Sequence, residues 1–103
     1  MHPLLLQHRA EIGTLCRRSR VRRLEVFGSA ARGEDFDPRR SDIDFLVEFD
    51  RKRITPTLGT FLGLRDQLAA LMGRPVDLVM AGSIRNPFIQ ADIEQSRETV
   101  YAS

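Results

Sequence analysis

The stretch from Val26 to Phe49, "VFGSAARGEDFDPRRSDIDFLVEF", decides how the rest of the chain is read. Two acids, Asp42 and Asp44, stand one residue apart in a run dominated by Ile43, Phe45, Leu46, Val47 and Phe49. An unpaired carboxylate in such a run is costly, so the pattern needs a physical reason. Successive side chains of a β-strand point to opposite faces. Asp42 and Asp44 therefore share one face, with Cα atoms roughly 7 Å apart, while Ile43, Phe45, Val47 and Phe49 share the other. Two ionised carboxylates at one weakly hydrated point repel each other unless a cation offsets them. Oxygen donors with no His or Cys nearby select Mg²⁺ or Mn²⁺ over zinc.

Working outward, Leu24 and Val26 alternate with Glu25 and Phe27, which predicts a strand over Val21 to Phe27 ending at Gly28. "GSAARG" then reads as a tight turn into a short helix. Upstream, Leu4, Leu5, Ile12, Leu15 and Cys16 recur at helical intervals and predict one helix from Pro3 to about Arg18. Downstream, Thr55 and Pro56 suit the cap and first residue of a helix through Leu58, Phe61, Leu62, Leu68, Leu71 and Met72, with Gly73 and Pro75 to stop it. "VDLVM", Val76 to Met80, predicts a third, buried strand. "NPFIQADIEQSRETVY" opens on an Asn-Pro start signal and carries Phe88, Ile89, Ile93 and Val100 at helical spacing, predicting a closing helix. The expected class is α/β (α+β), a small mixed sheet flanked by helices.

Asp77 is again an acid inside an apolar strand, and a strand lying beside the first would bring three carboxylates to one sheet edge. That is the ligand supply of a two-metal phosphoryl-transfer site. Taken alone, the Asp42-Asp44 pair is equally the exposed face of an edge strand, and the Gly28-Ser29 pair is a weak signal. The joint order of strand, Gly-Ser, short helix, Asp-x-Asp strand and later strand acid is far more specific. Gly28 permits close backbone approach, Ser29 and the amides after it suit phosphate oxygens, and Arg32 is a candidate phosphate clamp.

The 103 residues, 42% of them apolar, fit one domain, 1–103, with one modest core. A net charge of +2 does not demand a polyanion partner, and direct nucleic-acid binding is not expected. The cluster Arg17 to Arg23 reads as a solvated face. One cysteine, Cys16, no signal-peptide pattern and no long apolar run predict a cytoplasmic protein without membrane attachment. His2 and His8 read as surface residues.

"FGSAARG....SDIDFLVEF" resembles the nucleotidyltransferase superfamily that shares the DNA polymerase beta palm, and within it the minimal nucleotidyltransferases of bacteria and archaea. The resemblance implies that Gly28 and Ser29, with Arg32 and Ser41 nearby, hold nucleotide phosphates. It implies that Asp42, Asp44 and Asp77 bind two Mg²⁺ ions, and that Asp77 helps deprotonate the attacking hydroxyl. It further implies an antitoxin that moves AMP from ATP to a hydroxyl, a tyrosine's, of a HEPN-type toxin, working in an assembly with that partner. The twelve-residue loop Ala30 to Ser41 is slightly longer than the family's usual spacing, a change that surface loops tolerate cheaply. Two other readings stay open: a non-catalytic antitoxin acting by complex formation, and an enzyme acting on a small molecule. In each catalytic reading the acceptor hydroxyl attacks the α-phosphorus in line and pyrophosphate leaves.

Overall fold

The computed structural model describes residues 1–33, 37 and 41–103. The order is α1 (Pro3–Gln7), α2 (Arg9–Arg18), β1 (Val21–Phe27), α3 (Ser29–Arg32), β2 (Ile43–Phe49), α4 (Leu58–Met72), β3 (Val76–Met80), α5 (Pro87–Ser96) and β4 (Glu98–Ala102). The strands form one mixed sheet in the order β3-β2-β1-β4, antiparallel except for the parallel β2–β3 pair. The expected α/β architecture is therefore observed.

Alternation along β2 sorts its side chains as the sequence requires. Ile43, Phe45, Val47 and Phe49 are buried against α2 and α4, where Ile12, Cys16, Leu64 and Leu68 complete the main core. Full burial of Phe45, Leu64 or Leu68 contributes about 1.5–3 kcal/mol each. Burial also pushes the Cys16 thiol up to about 12, which makes it an inert packing group. The opposite face is covered only in part: Ile93 of α5 packs on Phe27 and Leu46 there.

Three local expectations are corrected, and one holds. The first helix is two, broken at His8, whose φ of −104° and ψ of 10° leave the helical region. His2 is more than a surface residue, since its Nδ1 accepts from the Leu4 amide at 3.1 Å and caps α1. The fourth helix starts two residues late because Thr57, not Thr55, caps it, its Oγ1 accepting from the Thr60 amide at 3.1 Å. Gly73 ends that helix in a left-handed conformation, as its position predicts.

The larger corrections concern the sheet edges. β3 is an edge strand rather than a buried one, with Asp77 exposed and Val79 and Met80 half-buried. The closing helix ends at Ser96, and Glu98–Ala102 pairs antiparallel with the open edge of β1. Arg97 makes the junction. It leaves helical geometry, and its guanidinium donates to both carboxylate oxygens of buried Glu25, at 2.9 and 2.6 Å. That bidentate pair holds Arg97 firmly charged and fixes where the new strand begins. No helix among the described residues is long and apolar enough to cross a membrane.

Candidate active site

At the end of β1 the chain turns at Gly28 with φ 73° and ψ −150°, a region open essentially to glycine alone. Phe27 pairs with Asp44 across the β1–β2 ladder, so this turn lies against the Asp44 carboxylate. A Cβ added to Gly28 would stand 2.7 Å from Asp44 Oδ2. The glycine is required twice, by its backbone angle and by the acid it cradles. After it comes α3, four residues long, ended by left-handed Gly33. The Ser29 hydroxyl has no hydrogen-bond partner among the described residues.

The parallel register of β2 and β3 sets Asp44 directly opposite Asp77. Asp42 precedes Asp44 by two residues on the same face. Asp44 is half-buried, whereas Asp42 and Asp77 are exposed, so the three acids rim an open edge of the sheet. The structure thus brings Gly28, Ser29, Asp42, Asp44 and Asp77 to one end of the sheet, as the sequence pattern requires.

Two residues that sequence reasoning missed complete this end. Ser96, buried at the end of α5, accepts from the Gly28 amide at 2.9 Å and donates to the Asp92 carbonyl at 2.6 Å. The Gly28 N–H is therefore spent on pinning the turn to α5, and the Arg32 amide on the Gly28 carbonyl at 3.1 Å, so within α3 the first-turn amides are the ones without a helical acceptor. Asp92, one turn earlier on α5, accepts from Arg32 Nη1 at 2.8 Å. Both are polar residues on an amphipathic helix, where composition offers no signal that separates them from a solvated face.

The electrostatics at Asp44 follow from this crowding. Burial, then repulsion from Asp77, Asp42 and Asp92, raises its carboxyl from the ordinary 3.8 to about 6, with Arg32 opposing. The folded protein accordingly holds a proton on Asp44 at pH values where the unfolded chain has lost it. Stability from this group is full below about pH 4 and falls as the pH rises through 6. Asp44→Asn is expected to flatten that fall and to raise the melting temperature of the metal-free protein at pH 7.5. The gain should be on the order of 1 kcal/mol, because a half-exposed group is screened by solvent. Thermal melts in EDTA across pH 4–8 read it directly.

Among the described residues no three acids close on one point as a complete cation cage. The donor chemistry still suits Mg²⁺, which binds through one or two carboxylates plus phosphate oxygens and water rather than through an all-protein cage. Mutually repelling carboxylates around a half-buried Asp44 are the local condition that a divalent cation relieves. Ser41 stands at the foot of the preceding loop, its hydroxyl accepting from the Asp37 amide at 3.0 Å and its amide donating to the Asp37 carbonyl at 2.8 Å. It staples the loop immediately ahead of Asp42. Phe36, Arg39 and Arg40 lie outside the described residues.

Comparison with known proteins finds relatives over most of the chain. Residues 11–100 match the model of the nucleotidyltransferase domain. The chain is 39% identical over 98 residues, 95% of its own length and 88% of the relative's, to the protein adenylyltransferase MntA of Thermococcus cleftensis. A solved structure of a candidate minimal nucleotidyltransferase superposes with a TM-score of 0.74 at 31% identity, covering 95% of both chains. The fold is also that of a complex of tri-AMPylated Shewanella oneidensis HEPN toxin with MNT antitoxin, with a TM-score of 0.66 at 19% identity, covering 96% of this chain and 73% of that one.

Proposed function

This chain belongs to the nucleotidyltransferase domain family, and from that premise we propose that it is a Mg²⁺-dependent protein adenylyltransferase that acts as an antitoxin. It moves AMP from ATP to a hydroxyl, a tyrosine's, of a HEPN-type toxin. The observation that carries this reading is the register of Asp44 opposite Asp77, with the Gly28 turn closed against Asp44. An edge built in this way presents hard oxygen donors beside a turn that suits phosphates.

In this reading Asp42, Asp44 and Asp77 would hold the Mg²⁺ ions, two in number. The ions, when bound, neutralise charge on the triphosphate and on the departing pyrophosphate. The chain's own residues do the rest. Ser29 and the amides of α3 receive phosphate oxygens, with Arg32 as a further donor. Asp77, exposed on the edge strand, takes the proton of the acceptor hydroxyl as that oxygen bonds to the α-phosphorus. The bond from that phosphorus to the bridging oxygen breaks, and pyrophosphate carries the electron pair away.

The acceptor is presented by a partner, because Asp42 and Asp77 stand exposed at an open edge of the sheet. Phe88 and Ile89 are 84% and 45% exposed, and on α5 they precede Asp92 by four and three residues, on the same helical face. That pair is the apolar surface a toxin would cover on reaching the acids. The cytoplasm, which supplies ATP and magnesium, is the compartment this chemistry requires. A module that worked by occlusion alone would have no use for a half-buried carboxylate raised by its neighbours.

The test incubates the protein with labelled ATP, Mg²⁺ and a HEPN-type toxin, the product of the adjacent gene being the first candidate. Label on the partner supports the reading, and an unlabelled partner held in a tight complex contradicts it. Asp92 acts here as a positioning residue, through Arg32. Asp92→Asn is expected to weaken MgATP binding about fivefold, and to have no further effect in an Arg32→Ala background. An equal loss in both backgrounds would show that Asp92 does not work through Arg32.

A further inference from the structure

The end of the sheet opposite the acids gathers cations that the sequence scatters over three segments. Arg17 and Arg20 come from the last turn of α2 and the residues after it, Arg22 from the start of β1, and Arg51, Lys52 and Arg53 from the turn after β2; all six are exposed. Pairing of Val21 with Phe49 draws these segments together. The Asp50 amide then donates to the Arg20 carbonyl, and the Ser103 amide to the Arg22 carbonyl, each at 2.9 Å. Arg17, Arg20, Arg53 and Tyr101 line a cavity of about 180 Å³. Arg22, Arg51, Lys52 and Glu48 line a second, of about 410 Å³, and the two meet at Asp50 and Ser103.

Little in the fold neutralises this end. Among the described residues only Arg22 of the six has an acid within ion-pair distance, Glu48 at 3.7 Å. The Asp50 carboxylate is occupied with the Lys52 amide at 3.2 Å. Two backbone irregularities also fall here. Arg20 has φ 58°, the sole positive value at a non-glycine among the described residues, where glycine would sit without steric cost. The β1 register shifts between Val21 and Arg23, so Arg22 is the extra residue of a bulge and projects to solvent along with Arg23. Both departures from regular geometry present an arginine.

We propose that this end binds the sugar-phosphate backbone of a nucleic acid, at a surface separate from the acid-lined edge. Five of the six cations are arginines, whose planar forks match phosphate oxygens bidentately. The smaller cavity, lined by Arg17, Arg20, Arg53 and Tyr101, has room for one phosphate, and the larger adjoins it for the next nucleotide. The ladder from Val21–Phe49 to Phe27–Asp44 holds the two sites roughly 20 Å apart. Arg51–Arg53 joins the Arg17 to Arg23 cluster only through the fold, which sequence spacing alone does not show.

The test is fluorescence anisotropy of the full chain with a labelled single-stranded RNA and a labelled DNA duplex, which distinguish the two sources of phosphate backbone. Binding of either is expected, weakening with salt at a log–log slope of about −3, as for release of counterions from roughly four phosphates. Arg17→Glu with Arg53→Glu should cost at least about tenfold in affinity. Arg20→Gly should weaken binding while raising the melting temperature and leaving MgATP affinity unchanged, a combination that a purely structural arginine would not give. Failure of both nucleic acids to bind, variants that bind as well as the parent chain, or displacement of RNA by polyglutamate at matched charge would each overturn the proposal.

Discussion

Asp44→Asn is expected to abolish AMP transfer, by about a thousandfold or more, in a protein that folds normally. Asp44 is where the constraints meet: β2 places it opposite Asp77, the Gly28 turn closes on it, and it is the half-buried member of the three acids. In the proposed mechanism, neutralising it would remove a central oxygen ligand for the cations that stabilise charge on the phosphates, an effect of several kcal/mol on the barrier. Each 1.4 kcal/mol or so is tenfold in rate, hence the magnitude. The same substitution relieves the repulsion that raises the Asp44 carboxyl, so a more stable yet inactive protein is the signature. Transfer kinetics and a thermal melt on one preparation provide both readings. Activity retained within tenfold would remove Asp44 from the site.

Gly28→Ala is expected to damage stability and activity together. The new methyl group meets Asp44 Oδ2 at 2.7 Å, and the backbone angle of φ 73° and ψ −150° is strained for any side chain. Strain of this kind costs about 1–3 kcal/mol before the carboxylate has moved. The turn cannot easily relax, since the Gly28 amide is tied to Ser96 and the whole end of β1 with it. A fall in melting temperature of roughly 10 °C, with loss of nucleotide binding, should follow. Gly63→Ala is the matched control: it lies inside α4 with nothing within 4 Å of the added carbon, and there alanine should be neutral or stabilising by about 0.5–1 kcal/mol.

The acid-lined edge was legible in the sequence because strand alternation is strict. One residue between Asp42 and Asp44 puts both on one face, and an acid inside "VDLVM" stands out against its apolar neighbours. The parallel pairing that sets Asp77 beside Asp44 needed only that β3 lie next to β2. What escaped depends on the tertiary structure. β4 was hidden because Val100 falls at a spacing that also suits a helix, and only the open edge of β1 and the Glu25–Arg97 pair turn that segment into a strand. β3 looked buried because it is a short, β-rich run bounded by Pro75 and Gly82, yet only one face is fully covered. Asp92 and Ser96 are ordinary helix residues until α5 docks and turns them toward Arg32 and Gly28. Thr55 and Thr57 offer equivalent capping chemistry two residues apart; Pro56 favours Thr55 in the sequence, and the fold uses Thr57.

Calorimetric titration of ATP into the protein, with Mg²⁺ and with EDTA, tests the central claim most directly when repeated on Asp42→Asn. Asp42 is exposed and its replacement does not threaten the core. Binding that requires Mg²⁺ and disappears in Asp42→Asn is the predicted result, whereas binding of equal affinity in EDTA or in the variant would contradict a cation-held triphosphate at the Asp42, Asp44 and Asp77 edge.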